Sequence, residues 1–250
     1  MDGAPREPGA ALEGVARLWR LESAEAAAAL VRALGDRVVA QPAGKLLRLE
    51  GGEGAATVLV VLSGWVSLSK STRDGDRQIL DILLPGSVID PGAADDGASH
   101  VQVEALTPAT VAVVPVRAWE RLLGIHPEIR AKVDRLLHAA LSRMSERMLR
   151  LGRASAESRL AYALIELCLR VSAHEGGDCG AFHIPMTQKQ LGDFVGLSPV
   201  HVCRTLRRME RDGILSAKDH MDVMIHDIDR FVEMAEVDLP ALRKEIVWEL

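Results

Sequence analysis

Between Thr187 and Asp212 the chain reads Thr-Gln-Lys-Gln-Leu-Gly-Asp-Phe-Val-Gly-Leu-Ser-Pro-Val-His-Val-Cys-Arg-Thr-Leu-Arg-Arg-Met-Glu-Arg-Asp. Few folds accept that order of caps, turn and apolar spacing. Thr187 with Gln190 is a Thr-x-x-Gln capping box, which starts a helix. Leu191 and Val195 lie four apart on one face, and Gly192 is small where a second helix must cross closely. Gly196-Leu197 is a tight turn, because glycine takes a positive φ without penalty. Ser198 caps a second helix, with Pro199 at its first position, where no backbone N–H is required. The stretch predicts a helix-turn-helix.

The second helix has two faces. Val202, Leu206 and Met209 recur at four and three and point inward. His201, Arg204, Arg208 and Arg211 form the outward stripe, flanked by Arg207 and Val200. Such a stripe suits a DNA major groove, with the first turn at base edges and later arginines at phosphates. Arg204 is the best base reader, since arginine can bond guanine through two parallel hydrogen bonds. The expected DNA-facing set is Thr187, Gln188, Lys189, Ser198, Pro199, Val200, His201, Arg204, Arg208 and Arg211.

A net charge of −5 does not suit a nucleic-acid binder until its location is considered. Thr187–Lys218 holds six Lys/Arg against three acids, so it carries +3 and the remainder −8. Phosphate attraction is local, because screening acts over about 8 Å at physiological salt. No apolar run approaches the ~20 residues a membrane span needs. The N-terminus shows no basic region followed by an apolar segment, so no signal peptide or membrane partner is expected. Three scattered cysteines, Cys168, Cys179 and Cys203, argue against a disulfide framework and suit a reducing cytoplasm.

In chain order, 250 residues are enough for two modest domains. Residues 1–22, rich in Ala, Gly, Pro and Glu, read as disordered, with an alanine-rich helix from Ser23 to Leu34. From Val38 to Val116 short β-runs alternate with glycine turns, the pattern of a small barrel or jelly roll. A short helix, Arg117–Ile125, completes a first domain of residues 23–126. A long helix over 127–152 follows, with apolar positions Ile129, Val133, Leu136, Ala140, Met144, Met148 and Leu151 at near-heptad spacing. That seam is either an internal packing face or the contact of a two-fold dimer. A dimer explains more, because helix-turn-helix proteins read paired half-sites. Gly152–Ser155 reads as a hinge and Glu157–Ala173 as an amphipathic helix. The last domain, 153–250, ends with a wing (Ile214-Leu215 and Val223–His226), a helix over Ile228–Glu236 and a further one from Leu239. The class is α+β.

Three stretches resemble the CRP/FNR family of bacterial transcription regulators. Val61-Leu-Ser-Gly-Trp-Val66 with Asp74–Gly86 is similar to the family's sensor roll. Gly152–Ala161 is similar to the entry of its DNA-binding domain. Met186–Leu215 is similar to a subgroup with Ser-Pro-Val-His-Val-Asn-Arg in the recognition helix, and Cys203 stands where that subgroup has Asn. The resemblance implies an N-terminal cyclic-nucleotide-binding-like β-roll, a long dimerisation helix and a C-terminal winged helix-turn-helix. It also implies a homodimer on a palindromic double-stranded DNA operator, with RNA polymerase as a further partner. Members that read a TTGAT- or TGTGA-type half-site carry Ser-Arg or Arg-Glu where Pro199 and Val200 stand here, and only Arg204 matches.

No cofactor is expected. The family's cyclic-nucleotide members hold the phosphate with an arginine. The corresponding Gly86–His100 segment has none, and Asp90, Asp95 and Asp96 would repel an anion. The family's iron–sulfur members use an N-terminal cysteine cluster, whereas the first cysteine here is Cys168. His100 is a lone haem-ligand candidate and reads as solvated. His174, Cys179 and His183 have a loose metal spacing, but zinc sites use tighter pairs, so a polar loop is the preferred reading. Cys203, beside Arg204 early in its helix, is the one candidate thiol switch. Its other reading is a small packed residue. No Gly-rich phosphate loop, His-Glu-x-x-His or Gly-x-Ser-x-Gly suggests an enzyme. The expected function is transcription regulation independent of cAMP or an iron–sulfur cluster. The alternative is a regulator answering an unidentified effector in the roll or oxidation of Cys203.

Overall fold

The computed structural model describes residues 8–48, 57–89, 101–175, 180–218 and 222–247. Two units divide the chain: Met1–Asp76 with Leu80–His138, and Arg77–Ile79 with Ala139–Leu250.

The first unit opens with α1 (Pro8–Leu18) and α2 (Ala24–Gly35). The expectation of a disordered residue 1–22 segment fails from Pro8 onward. Composition concealed an apolar stripe of Ala11, Leu12, Val15 and Trp19, all buried. Burial of that stripe gives α1 the tertiary packing that a short helix needs in water. Trp19 Nε1 donates to the Gly86 carbonyl at 3.1 Å, and its ring meets Trp119 edge to face, centroids 6.5 Å apart. Ser23 caps α2 by accepting from Ala26 N.

Among the described residues eight strands follow: β1 (Val38–Gln41), β2 (Leu46–Arg48), β3 (Thr57–Ser63), β4 (Val66–Ser71), β5 (Arg77–Leu83), β6 (Val88–Ile89), β7 (Gln102–Ala105) and β8 (Ala109–Pro115). They form two four-stranded sheets, ordered β1-β8-β3-β6 and β2-β7-β4-β5. β8 lies antiparallel between β1 and β3, and β7 lies antiparallel between β2 and β4. Leu59, Val61, Ile89 and Val111 from one sheet meet Val66, Leu83, Val103 and Ala105 from the other in one apolar core. This is the expected roll. The Asp90–His100 part of the sensor segment, with His100, lies outside the described residues.

α3 (Val116–Ile125) leads into α4 (Pro127–Arg153). Gly152, expected in a hinge, is inside α4, and the break falls at Ala154-Ser155. The expected seam on α4 is also displaced. Ile129 and Val133 are buried, at 0% and 3% exposure, and Leu136 and Ala140 are half-buried. The open apolar row is instead Leu137, Leu141, Met144, Met148 and Leu151, still at spacings of four and three. The first two seam residues are used by their own chain's core, which a one-dimensional period cannot reveal.

The second unit is built round α5 (Ala156–Glu175). This helix is not amphipathic as expected. Nearly every side chain from Leu160 to Arg170 is buried, because α6 (Gln188–Val195), α7 (Pro199–Arg211), α8 (Ile228–Ala235) and α9 (Leu239–Ile246) all pack on it. Glu166, fully buried, accepts from Arg147 Nη1 at 2.7 and 2.9 Å and from Arg170 Nη1 at 3.1 Å. Arg143 Nε is at ion-pair distance, 3.9 Å, and its Nη1 donates to the last carbonyl of α9, on Ile246. Arg150 donates to the last carbonyl of α8, on Ala235, and lies over the Tyr162 ring at 3.9 Å. Thus one face of α4 sets cations against two helix C-termini, where the macrodipole is negative. Burial first, then the neighbouring Glu166, push the Tyr162 phenol up. Burial first, then Arg170, push the His174 imidazole down to about 4. Cys168 is disulfide-bonded, contrary to the expectation from an odd, scattered cysteine set, whereas Cys203 is free. Among the described residues, no helix is long and apolar enough to cross a membrane.

Candidate nucleic-acid interface

The expected helix pair forms with the caps assigned to it. Thr187 Oγ1 accepts from Gln190 N at 3.1 Å while Gln190 Oε1 accepts from Thr187 N at 2.8 Å. Gly196 ends α6 with φ +68°, and Ser198 Oγ accepts from His201 N to start α7. Gly192 is indispensable at the crossing, because a Cβ there would sit 2.4 Å from the Leu197 carbonyl oxygen. Leu191, Phe194, Val195, Val202, Leu206 and Met209 close the core beneath.

A three-stranded antiparallel sheet, ordered β10-β11-β9, carries the wing: β9 (Ala181–His183), β10 (Leu215–Lys218) and β11 (Asp222–Ile225). Glu210 Oε1 accepts from Ala217 N at 3.0 Å, and Arg230 Nη1 donates to the Asp212 carbonyl at 3.1 Å. The first bond holds the wing beside α7, and the second ties α8 to the end of α7. His183 Nδ1 pairs with Asp222 Oδ1. Its two companions in the loose metal spacing fare differently: Cys179 lies outside the described residues, and His174 is half-buried on α5.

All ten residues of the expected DNA-facing set are exposed, with Val200 at 68%. An open groove of ≈ 840 Å³ is lined by Gln188 from α6 and by Pro199, Val200, Cys203, Arg204, Arg207, Glu210 and Arg211 from α7. The α6 N-terminus and one side of α7 therefore share a concave surface with three arginines. Among the described residues, no acid lies within ion-pair distance of Arg204, Arg207 or Arg211.

Four expectations change in detail. Arg207, read as a flank, lines the groove, whereas Arg208, read as part of the stripe, turns to Glu157 Oε1 on α5. Lys189 Nζ is 3.2 Å from Asp193 Oδ2. The Thr187 hydroxyl is engaged by its own cap, so the free donors at that helix end come from the α6 residues that follow. Glu157 was missed because nothing local links it to Arg208, 51 residues away.

A cyclic-nucleotide-type β-roll, a long helix and a helix-turn-helix with a wing define a class of DNA-binding transcription regulators. Comparison with known proteins agrees: the Cyclic nucleotide-binding domain matches residues 38–126 and the Crp-like helix-turn-helix domain matches residues 158–234. The chain thus carries a cyclic nucleotide-binding-type domain and a Crp-like helix-turn-helix domain, which supports a transcription regulator of the CRP/FNR type. It is similar to the Transcriptional activator protein FnrA of Stutzerimonas stutzeri, 28% identical over 167 residues, 67% of this chain and 68% of that protein. It is also similar to the Fumarate and nitrate reduction regulatory protein of Escherichia coli, 26% identical over 186 residues, 74% of each chain. Among solved structures, FixK2 from Bradyrhizobium japonicum superposes with a TM-score of 0.69 at 24% identity, over 81% of this chain and 98% of that one. That likeness bears on the fold alone.

Proposed function

We propose that this protein is a homodimeric, sequence-specific transcription regulator whose α7 helix enters the major groove of a palindromic operator. The observation that carries the reading is the groove joining the α6 N-terminus to Arg204, Arg207 and Arg211, none of which has an acid within ion-pair distance among the described residues. Arg204 and His201 read bases, Pro199 and Val200 meet a thymine methyl, and Arg207, Arg211 and the α6 N-terminus hold phosphates. The exposed row Leu137, Leu141, Met144, Met148 and Leu151 supports a second copy packed along α4. The segment Gly86–His100 lacks an arginine, and no cysteine precedes Cys168. Neither cyclic nucleotide nor an iron–sulfur cluster is therefore needed for binding. RNA polymerase is the partner through which the bound dimer acts.

A second reading has one observation in its favour. The free thiol of Cys203 lines the groove, so its oxidation would set a polar group against the DNA. Equal operator affinity for peroxide-treated wild type, untreated wild type and Cys203→Ser would dispose of it.

The test of the main reading is selection of bound duplexes from a random pool, with no effector added. A palindrome with half-sites about one helical turn apart is expected. A single unpaired site would remove the dimer. Absence of any salt-dependent DNA affinity would overturn the DNA-binding reading itself.

A further inference from the structure

The basic face of the second unit carries its own competitors for phosphate. Arg208 Nη1 donates to Glu157 Oε1 in the first turn of α5, and Lys189 Nζ pairs with Asp193 Oδ2 within α6. In both pairs the acid is the more sunken member. The side chains of Glu157 and Asp193 are 33% and 17% exposed, against 53% and 70% for Arg208 and Lys189. Each acid is therefore the more enclosed partner, and each base the one that reaches further into solvent. Arg204, Arg207 and Arg211 have no such partner among the described residues. The face thus holds two classes of cation: open ones in the groove and restrained ones at its margin.

We propose that Glu157 and Asp193 are specificity-determining residues that hold Arg208 and Lys189 back from non-specific DNA. This rests on the reading of α7 as the DNA-facing helix. Binding to any duplex is dominated by cations that displace counterions from phosphates, and this sequence-independent attraction competes with operator search. A cation already neutralised by an enclosed carboxylate releases no net counterion unless the carboxylate is left behind. Only a duplex seated closely by Arg204, Arg207 and Arg211 brings its phosphates near enough to displace exposed ion pairs, which are weak in water. The acids therefore subtract more from loose, non-specific complexes than from the seated one, and the ratio between the two rises.

The experiment measures affinity for a random-sequence duplex and for the selected operator between about 0.05 and 0.3 M salt. The proteins are wild type, Glu157→Gln, Asp193→Asn and Glu157→Gln/Arg208→Gln, all as the full chain. Glutamine and asparagine keep the shape of each acid and remove its charge. One released cation steepens the slope of log K against log salt by about 0.9, which amounts to about fivefold at 0.15 M relative to 1 M salt. Each single variant is expected to bind random DNA about fivefold more tightly with that steeper slope. The operator gains less, so the specificity ratio falls. The gain of Glu157→Gln disappears in the double variant, because it works through Arg208. Unchanged slopes in both single variants overturn the proposal. So does a gain that survives removal of Arg208, which would show a general charge effect. Asp193→Asn reads the Lys189 pair independently should Glu157→Gln unsettle α5. Wild type with no salt-dependent affinity for DNA would instead overturn the reading of α7, so the two failures are distinguishable.

Discussion

Replacing Glu166 with glutamine removes the one fully buried carboxylate that three arginines share. Arg147 bonds it twice, at 2.7 and 2.9 Å, Arg170 once at 3.1 Å, and Arg143 stands 3.9 Å away, each of the four side chains being at least nine-tenths buried. Glutamine keeps the volume and one carbonyl acceptor but removes the negative charge that Glu166 presents to the guanidiniums. Removing one partner of a buried ion pair costs about 3–5 kcal/mol, because the remaining charge stays desolvated. For a unit of roughly 110 residues the unfolding entropy makes 1 kcal/mol equal to about 4 °C, so the melting temperature of that unit falls by about 12–20 °C. Thermal unfolding followed by far-ultraviolet circular dichroism reads this directly. Glu166→Leu/Arg147→Met, which removes Glu166 together with the arginine that bonds it twice, is expected to recover only part of that loss, because Arg143 and Arg170 still lose the carboxylate they face. A fall of less than about 4 °C for Glu166→Gln would refute the reasoning, since the arginines would then have found water or other acceptors.

Four further outcomes follow from single positions. Arg204→Ala weakens operator binding by about 1–3 kcal/mol and relaxes selection at one base step; an equal loss across all sequences, read by repeating the selection, would reassign Arg204 to phosphate. Gly192→Ala forces a Cβ against the Leu197 carbonyl and lowers the stability of the second unit by about 1–3 kcal/mol in a denaturant melt; no change would mean that the crossing can open freely. His174 takes its proton near 6.5 when unfolded and at about 4 when folded, so the unfolded chain binds more protons between those values. Stability is then complete above 6.5 and falls by up to about 3 kcal/mol as pH drops to 4, a dependence that His174→Gln should lack in pH-resolved melts. Tyr162 Oη is buried with no hydrogen-bond partner among the described residues, so Tyr162→Phe is expected to hold or raise stability by about 1 kcal/mol; a clear loss would reveal a partner such as bound water.

The sequence by itself determined the helix-turn-helix, down to its capping residues. Thr187, Gln190, Gly196, Ser198 and Pro199 act on backbone groups within three or four residues, so their chemistry is complete in a short window. Turn glycines and β-runs made the roll legible for the same reason, and the 4-and-3 period of α4 showed that a second face existed. Only the tertiary structure decided which faces were already taken. Ile129 and Val133 disappear into their own core while Leu137 and Leu141 remain open, although both rows satisfy the same period. α1 is ordered because a stripe ending at Trp19 finds Gly86 and Trp119 far along the chain. Arg208 meets Glu157, and Arg147 meets Glu166, across helices that approach only when α5 is enclosed. Periodicity and caps are properties of one segment. Burial and charge pairing are properties of two segments brought together, and the energy that selects among them exists only in the folded chain.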